Sequence, residues 1–497
     1  MDLTDLKKFE GEDASPYAGA MIESFRSIGY SLATAIADII DNSIAAKAKN
    51  VWIDFEWKEE KTYLIITDDG MGMQELDLIE AMRPGSKNPL ADRSNEDLGR
   101  FGLGLKTASF SQCRNLTVAT KSKNALKVIY RCWNLDYVAE VNNWKVLKYL
   151  ADENFISKLN HLSTGTSIIW QDLDRVISSN LENSKETMNQ FLENIEFLKK
   201  HIRMVFHQYL ENQKLTIWIK DRKITPWDPY LKTEEATTVL EKTLINDNIE
   251  VVPYVLPLHS KIDRQVFENA SGNKGWNSHQ GFYIYRNNRL LLAGDWLGLY
   301  KQEEHYKLAR IYVNIPNSVD IDNAWQLDIK KSVATPPPEV RRRLKEIADK
   351  ARKEAVEVYR QIGRTRQGNS QKNNILVWAD KKSKGRRFYQ INRLHPIIRN
   401  FLSKYPDSKA KLNRLLRLIE ETVPLPLIVT NETENNDFQT TPFEGKASSD
   451  MVKMVIQLYE ELINDGKSKD DAIEEILNTE PFNHYPELSV HLSNEGN

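Results

Sequence analysis

The stretch Ile65-Ile66-Thr67-Asp68-Asp69-Gly70-Met71-Gly72-Met73 runs an apolar segment into two carboxylates and a Gly-x-Gly. It reads as a buried strand ending at Asp68, followed by glycines that let the backbone come close to a ligand. A carboxylate at a strand end can accept a hydrogen bond from the exocyclic amine of adenine, which no phosphate-binding residue could do. A plain β-turn after a strand accounts for the same residues, so the stretch takes its meaning from its surroundings.

Upstream, Val51-Trp52-Ile53-Asp54-Phe55 reads as a strand beside Tyr63-Leu64-Ile65-Ile66. Before it, apolar residues recur at helical spacing from Ala18 to Ala48: Ile22, Phe25 and Ile28, then Leu32, Ala35, Ile36, Ile39 and Ile40. This helical stretch carries Asp38-Ile39-Ile40-Asp41-Asn42, in which Asp38 and Asn42 share one face. An Asn carbonyl is a hard oxygen ligand suited to Mg²⁺, which needs phosphate oxygens to complete its shell. A carboxylate one turn earlier can polarise an attacking water. An exposed polar face explains the same spacing.

Downstream, residues 83–99 form a polar loop rich in Gly, Pro, Ser, Asn and Asp. Gly99-Arg100-Phe101-Gly102-Leu103-Gly104-Leu105-Lys106-Thr107 then opens a helix. Glycine-rich backbone at a helix N-terminus offers N–H groups to phosphates, and Lys106 adds a full charge. It is not a Walker A loop, because Leu105 separates Gly104 from Lys106. Thr164-Gly165-Thr166-Ser167-Ile168-Ile169-Trp170 is a strand entered through Gly-Thr, and the Thr166 hydroxyl could join Asp68 in reading adenine. With further strands at 116–119 and 126–130, the pattern predicts an α/β sandwich rather than a doubly wound sheet.

In this order and at these spacings the four pieces resemble the GHKL nucleotide-binding domain, over residues 18–172. The resemblance implies a Bergerat-type α/β sandwich with ATP held between the helices and a mobile lid. Carried over by position, Asn42 would hold Mg²⁺ and Asp68 the adenine. Gly70, Gly72 and Met73 would floor the base pocket, with Thr166 supporting it. Gly102, Leu103, Gly104, Leu105 and Lys106 would wrap the phosphates, and residues 83–99, with Ser86 and Lys87, would form the lid. The family's general base is usually Glu where this chain has Asp38, which is shorter by one C–C bond, about 1.5 Å. A misplacement near 1 Å costs on the order of a hundredfold in rate, so slow hydrolysis is expected. Asp41 is the neighbouring candidate, about 100° away around the helix.

A second α/β region follows, with strands expected at 215–219, 281–285 and 310–315. Gly281-Phe282-Tyr283-Ile284-Tyr285-Arg286-Asn287-Asn288-Arg289-Leu290-Leu291 looks like the transducer strand of the MORC and MutL branch. In Trp325-Gln326-Leu327-Asp328-Ile329-Lys330-Lys331-Ser332, the resemblance implies a lysine returning to the γ-phosphate. Lys330 and Lys331 alternate faces on a strand, so only one can do so; two solvated lysines at a strand end is the plain alternative. The chain looks most like prokaryotic MORC-like ATPases, often encoded beside restriction–modification and phage-defence genes. That resemblance implies an ATP-dependent homodimer, partner subunits of a defence or restriction system, and residues 1–17 as an exchanged strap.

The chain has 497 residues, a net charge of −2 and two cysteines, Cys113 and Cys132. A balanced charge excludes a polycation that coats nucleic acid, and few cysteines fit a reducing cytoplasm rather than a disulfide scaffold. No apolar run approaches a membrane span or a signal peptide. The expected domains are an ATP-binding domain over 1–185, a transducer over 186–337, a basic helical region over 338–430 and a linker with a small helical docking segment over 431–497. Lys381-Lys382-Ser383-Lys384-Gly385-Arg386-Arg387, beside Trp378, Phe388 and Tyr389, suits the backbone of duplex DNA. Two functions follow as expectations: an ATPase that opens and closes on DNA, or a nucleotide-gated scaffold with negligible hydrolysis.

Overall fold

The computed structural model describes residues 9, 12, 14–86, 103–177, 184–246, 248–258, 261–316, 325, 334–365, 375–383, 386–424, 447–485, 487–489 and 492. The chain divides into two compact units, Met1–Val358 and Tyr359–Asn497.

In the first unit the stretch of helical spacing over 18–48 forms two helices, α1 (Ala18–Arg26) and α2 (Leu32–Ala45). Gly29 between them has φ +78°, a left-handed conformation that glycine adopts at little cost. Ser31 caps α2, its hydroxyl accepting from Thr34 N–H at 3.2 Å while the Thr34 hydroxyl accepts from Ser31 N–H at 3.0 Å. α2 buries most of its circumference, including the polar side chains of Asp38, Asp41 and Ser43. A helix that buries carboxylates must supply them with partners.

The strands β1 (Asn50–Glu56), β2 (Tyr63–Asp68), β3 (Asn115–Lys121), β4 (Ile129–Asn134), β5 (Gly165–Gln171), β6 (Thr216–Ile219) and β7 (Arg222–Lys223) form one sheet, ordered β4-β3-β5-β2-β1-β6-β7. β2 is central and antiparallel to both neighbours, with Asp68 opposite Val51 on β1 and Thr166 on β5. The strand expected at 126–130 begins only at Ile129; Leu126 is 97% exposed, with nothing to pack against. The helices of this part are α3 (Glu75–Met82), α4 (Gly104–Phe110), α5 (Leu135–Val141), α6 (Ser157–His161), α7 (Ser184–Val205) and α8 (His207–Glu211). The first hydrophobic core continues through Phe191, Leu198 and Ile217 to Ile224, past the expected edge at 185. The reason is that β6 pairs with β1 in parallel and α7 packs on α2.

A second sheet comprises β8 (Thr238–Val239), β9 (Thr243–Ile245), β10 (Ile249–Val255), β11 (Gly281–Arg286), β12 (Arg289–Asp295) and β13 (Ala309–Ile315). Its order is β12-β11-β13-β10-β8, with β9 also on β10. The run from Gly281 to Leu291 is therefore a hairpin rather than one strand. Asn287 and Asn288 turn it with φ +47° and +64°, the signature of a tight turn matched to strand twist. Helix α9 (Arg264–Ala270) precedes β11, and α10 (Pro338–Thr365) leads out of the unit.

In the second unit, residues 378–391 form an antiparallel hairpin, β14 (Trp378–Ser383) with β15 (Arg386–Ile391), where a loop in a helical region was expected. Lys382 lies opposite Arg387 and Lys381 opposite Phe388. Helices α11 (Pro396–Lys404), α12 (Lys409–Thr422), α13 (Ser449–Asn464) and α14 (Lys469–Leu477) complete it. The last helices pack within this unit: Ile397 packs against the core of Val455, Leu458, Ile476 and Phe482, and Arg399 pairs with Glu475 at 3.0 Å. The linker expected at 430–441 and most of residues 1–17 lie outside the described residues. Among the described residues, no helix is long and apolar enough to cross a membrane.

Candidate functional site

The strand-end carboxylate sits where β2 meets α2. Asp68 is 7% exposed; its Oδ1 accepts from Gly70 N–H at 2.8 Å and its Oδ2 from the Ser43 hydroxyl of α2 at 2.9 Å. Burial raises its pKa to about 6, against the lowering effect of these hydrogen bonds. Thr166, directly across on β5, shares a hydrogen bond with Thr120 at 3.1 Å, and Thr120 Oγ1 also accepts from Met73 N–H at 2.9 Å. Asp68, Thr166, Met73 and the Ser43 end of α2 are thus one cluster. Asp69 does different work: its carboxylate accepts from Lys49 N–H at 2.7 Å and Asn50 N–H at 2.8 Å, tying the turn to the start of β1.

The two glycines are required by the chain itself. A Cβ on Gly70 would lie 2.8 Å from the Ala46 Cβ, and one on Gly72, at φ +66°, would lie 2.1 Å from the Lys121 carbonyl oxygen. They allow the turn to cross α2 and β3 closely.

One turn before Ser43, the carboxylates of α2 meet a partner that sequence reasoning missed. Arg289, at the start of β12, places Nε 2.7 Å from Asp41 Oδ2 and Nη2 3.7 Å from Asp38 Oδ1. All three are buried, at 4% or less exposure. Asp38 Oδ2 accepts from the Tyr30 hydroxyl at 2.8 Å. Burial, then the Asp38 charge, pushes the Tyr30 phenol far up, so it stays protonated as a donor. Burial and then the Arg289 charge push His201 of α7 down to about 4. The Asn287-Asn288 turn was the available signal for Arg289, since it marks a hairpin whose next residue starts a strand; the distance to α2 was not encoded locally.

Asn42 is exposed beside Asp41, on the face shared with Asp38. Gly104, at the start of α4, faces this group: its Cβ direction points to Asp38 Oδ2 at 3.8 Å. Leu103 and Leu105 are half-buried around it, whereas Lys106 is buried and donates to the Ala81 carbonyl of α3 at 2.9 Å. Ser86 is half-buried at the end of the segment following α3. Lys87, Gly102, Lys330 and Lys331 lie outside the described residues. A cavity of about 630 Å³ opens nearby, lined by Met21, Phe25, Ile79, Met82, Leu103 and Trp133 among others, but none of Asp38, Asn42, Asp68 or Thr166 lines it.

Chemically, a buried carboxylate acceptor beside a threonine hydroxyl suits an amino-purine. An exposed Asn42 suits a hard cation that takes most of its ligands from phosphates. The residues present fit a magnesium nucleotide.

Residues 30–166 match the family described as histidine kinase-, DNA gyrase B-, and HSP90-like ATPase. The chain is 30% identical over 96 residues to ATPase morc-1 of Caenorhabditis elegans, covering 19% of this chain and 11% of that protein. It is 31% identical over 96 residues to the DNA mismatch repair protein MutL of Thermoanaerobacter sp., covering 19% of this chain and 16% of that one. The match to these curated relatives thus spans less than a fifth of their length. Among solved structures, the ATPase and transducer domains of DNA topoisomerase II from Balamuthia mandrillaris are similar at 12% identity. That match covers 66% of this chain and 86% of the other, with a TM-score of 0.36.

Proposed function

We propose that this chain, whose residues 30–166 match the histidine kinase-, DNA gyrase B- and HSP90-like ATPases, binds ATP with Mg²⁺ and hydrolyses it slowly. Nucleotide binding joins two copies, and the dimer acts on duplex DNA as the switch of a prokaryotic defence or restriction complex. The observation that carries the nucleotide reading is the Ser43–Asp68 hydrogen bond at 2.9 Å. It joins the helix bearing Asp38 and Asn42 to the strand-end carboxylate, so that groups for base recognition and for phosphate chemistry line one place.

In this reading Asp68 and Thr166 hold the adenine, with Gly70, Gly72 and Met73 shaping the turn beneath it. Asn42 ligates the cation, and the glycine-rich entry to α4 meets the phosphates, with Lys330 or Lys331 contacting the terminal one. The bound magnesium nucleotide supplies an electrophilic γ-phosphorus. Asp38 orients the attacking water and takes its proton, because Asp41 is committed to Arg289 at 2.7 Å. The DNA contact is assigned to the β14–β15 hairpin, where Lys381, Trp378 and Tyr389 are exposed. The tie from Tyr30 to Asp38 favours a second reading, in which nucleotide assembles partners and turnover is negligible.

Steady-state hydrolysis with Mg²⁺, with and without duplex DNA, tests this in wild type, Asp38→Ala and Asn42→Ala. Turnover that both substitutions abolish and DNA accelerates is expected. Tight ATP binding without turnover selects the scaffold. Absence of both ATP binding and turnover refutes the nucleotide reading.

A further inference from the structure

Asp38 and Asp41 stand three apart on one buried helix, and buried carboxylates are held only where the fold supplies them with partners. Tyr30, from the segment before α2, donates to Asp38; Arg289, from β12, lies against both; His201 of α7 carries its weak basicity beside Arg289; and α4 presents the uncharged Gly104 and Thr107.

Arg289 is itself held rigidly. Its Nη1 donates to the Leu290 carbonyl at 3.2 Å, and its guanidinium lies 5.9 Å from the centre of the Phe206 ring. The hairpin tip just before it is fastened by the Tyr209 hydroxyl, which donates to the Asn287 carbonyl at 2.7 Å. The 2.7 Å contact with Asp41 is a direct ion pair. The 3.7 Å separation from Asp38 is beyond hydrogen-bond distance, so there the guanidinium acts as a charge rather than a donor.

We infer that Arg289 is a positioning residue through which the second sheet fixes the orientation of Asp38. The inference rests on Asp38 being the base, as proposed above. With Arg289 in place, Asp38 keeps its Oδ2 turned to the Tyr30 hydroxyl, and α2 cannot rotate without breaking the Asp41 pair. Displacement of β12 would take the guanidinium away from both carboxylates at once. ATP turnover is therefore coupled to the docking of the second sheet on α2, by a contact that no nucleotide atom makes.

The test uses the full chain. Arg289→Met alone strands a buried Asp41 and could unfold, so the decisive variant is Arg289→Met with Asp41→Asn, which removes both charges. Circular dichroism, ATP binding by calorimetry and single-turnover hydrolysis are read for each protein, so that loss of rate is separated from loss of binding. The double variant is expected to fold and to bind ATP like wild type. Its turnover should fall on the order of a hundredfold. A purely structural pair predicts the opposite: once both charges are gone, the rate returns to that of wild type, and that result overturns the inference. If the double variant does not fold, Arg289→Lys decides. A lysine cannot span both carboxylates, so its turnover should drop about tenfold with binding intact, and a wild-type rate overturns the inference. Failure of the underlying reading looks different: Asp38→Ala then turns over like wild type, whatever happens at Arg289.

Discussion

Replacing Asp68 by Asn should stabilise the protein while weakening its nucleotide affinity. The folded-state pKa of about 6 stands against an ordinary value of 3.8. The shift is raised, so folding favours the protonated carboxyl. The unfolded chain ionises above 3.8, while the folded one resists until about 6. The resulting cost is absent at low pH, grows as pH rises through that window, and is fully present at pH 7. Two units at 1.36 kcal/mol each make it about 3 kcal/mol. Asparagine removes the charge without losing either contact. Its oxygen can accept from Gly70 N–H, and its amide can donate to the Ser43 hydroxyl once that group rotates. At pH 7, Asp68→Asn should therefore raise stability by up to about 3 kcal/mol, several degrees in Tm. The gain should disappear as the pH approaches 4. Calorimetric ATP binding should weaken roughly 10- to 100-fold, the value of a hydrogen bond to a charged acceptor. Thermal scans from pH 4 to 8 provide the measurement. A stability difference that does not change with pH refutes the burial argument, and unchanged ATP affinity refutes the adenine assignment.

Two stability predictions follow from contacts that fix the same core. Arg26, 1% exposed, donates to the Phe110 and Cys113 carbonyls at 2.9 and 3.0 Å and pairs with Asp174 at 2.5 Å. Arg26→Met leaves two buried carbonyls without this donor and should cost about 2–4 kcal/mol in urea unfolding; a loss under about 1 kcal/mol would show that water replaces it. Gly72→Ala combines positive φ with a Cβ driven into the Lys121 carbonyl and should cost about 3 kcal/mol or more. Gly85→Ala, at φ +70° with nothing within 4 Å, should cost only about 1 kcal/mol. Equal costs at the two positions would remove the close approach as the reason for glycine at 72.

Much of the first sheet was legible from local pattern. β1, β2, β3 and β5 lie where short apolar runs bounded by polar residues placed them: β2, β3 and β5 are buried on both faces, and β1 alternates about the buried Val51 and Ile53. The placement of Asp38 and Asn42 on α2, of Asp68 at the end of β2 and of Thr166 near the start of β5 was legible too, because each follows from helix or strand spacing. The break between α1 and α2 was missed because apolar spacing continues across Gly29, and periodicity alone cannot see a φ of +78°. The site glycines were read as making room for a ligand. They prove to make room for Ala46 and Lys121, residues 24 or more positions away in sequence.

The sequence by itself determined an α/β chain with a carboxylate at a strand end and an Asp-x-x-x-Asn face on a helix, because these depend on periods of two and 3.6 residues. Tertiary structure alone decided what those carboxylates meet. Arg289 lies 248 positions after Asp41, and Ser43 reaches Asp68 across 25. No local rule specifies such pairs. They exist because burying charged groups on α2 is tolerable only where the folded chain brings them a cation and a hydroxyl.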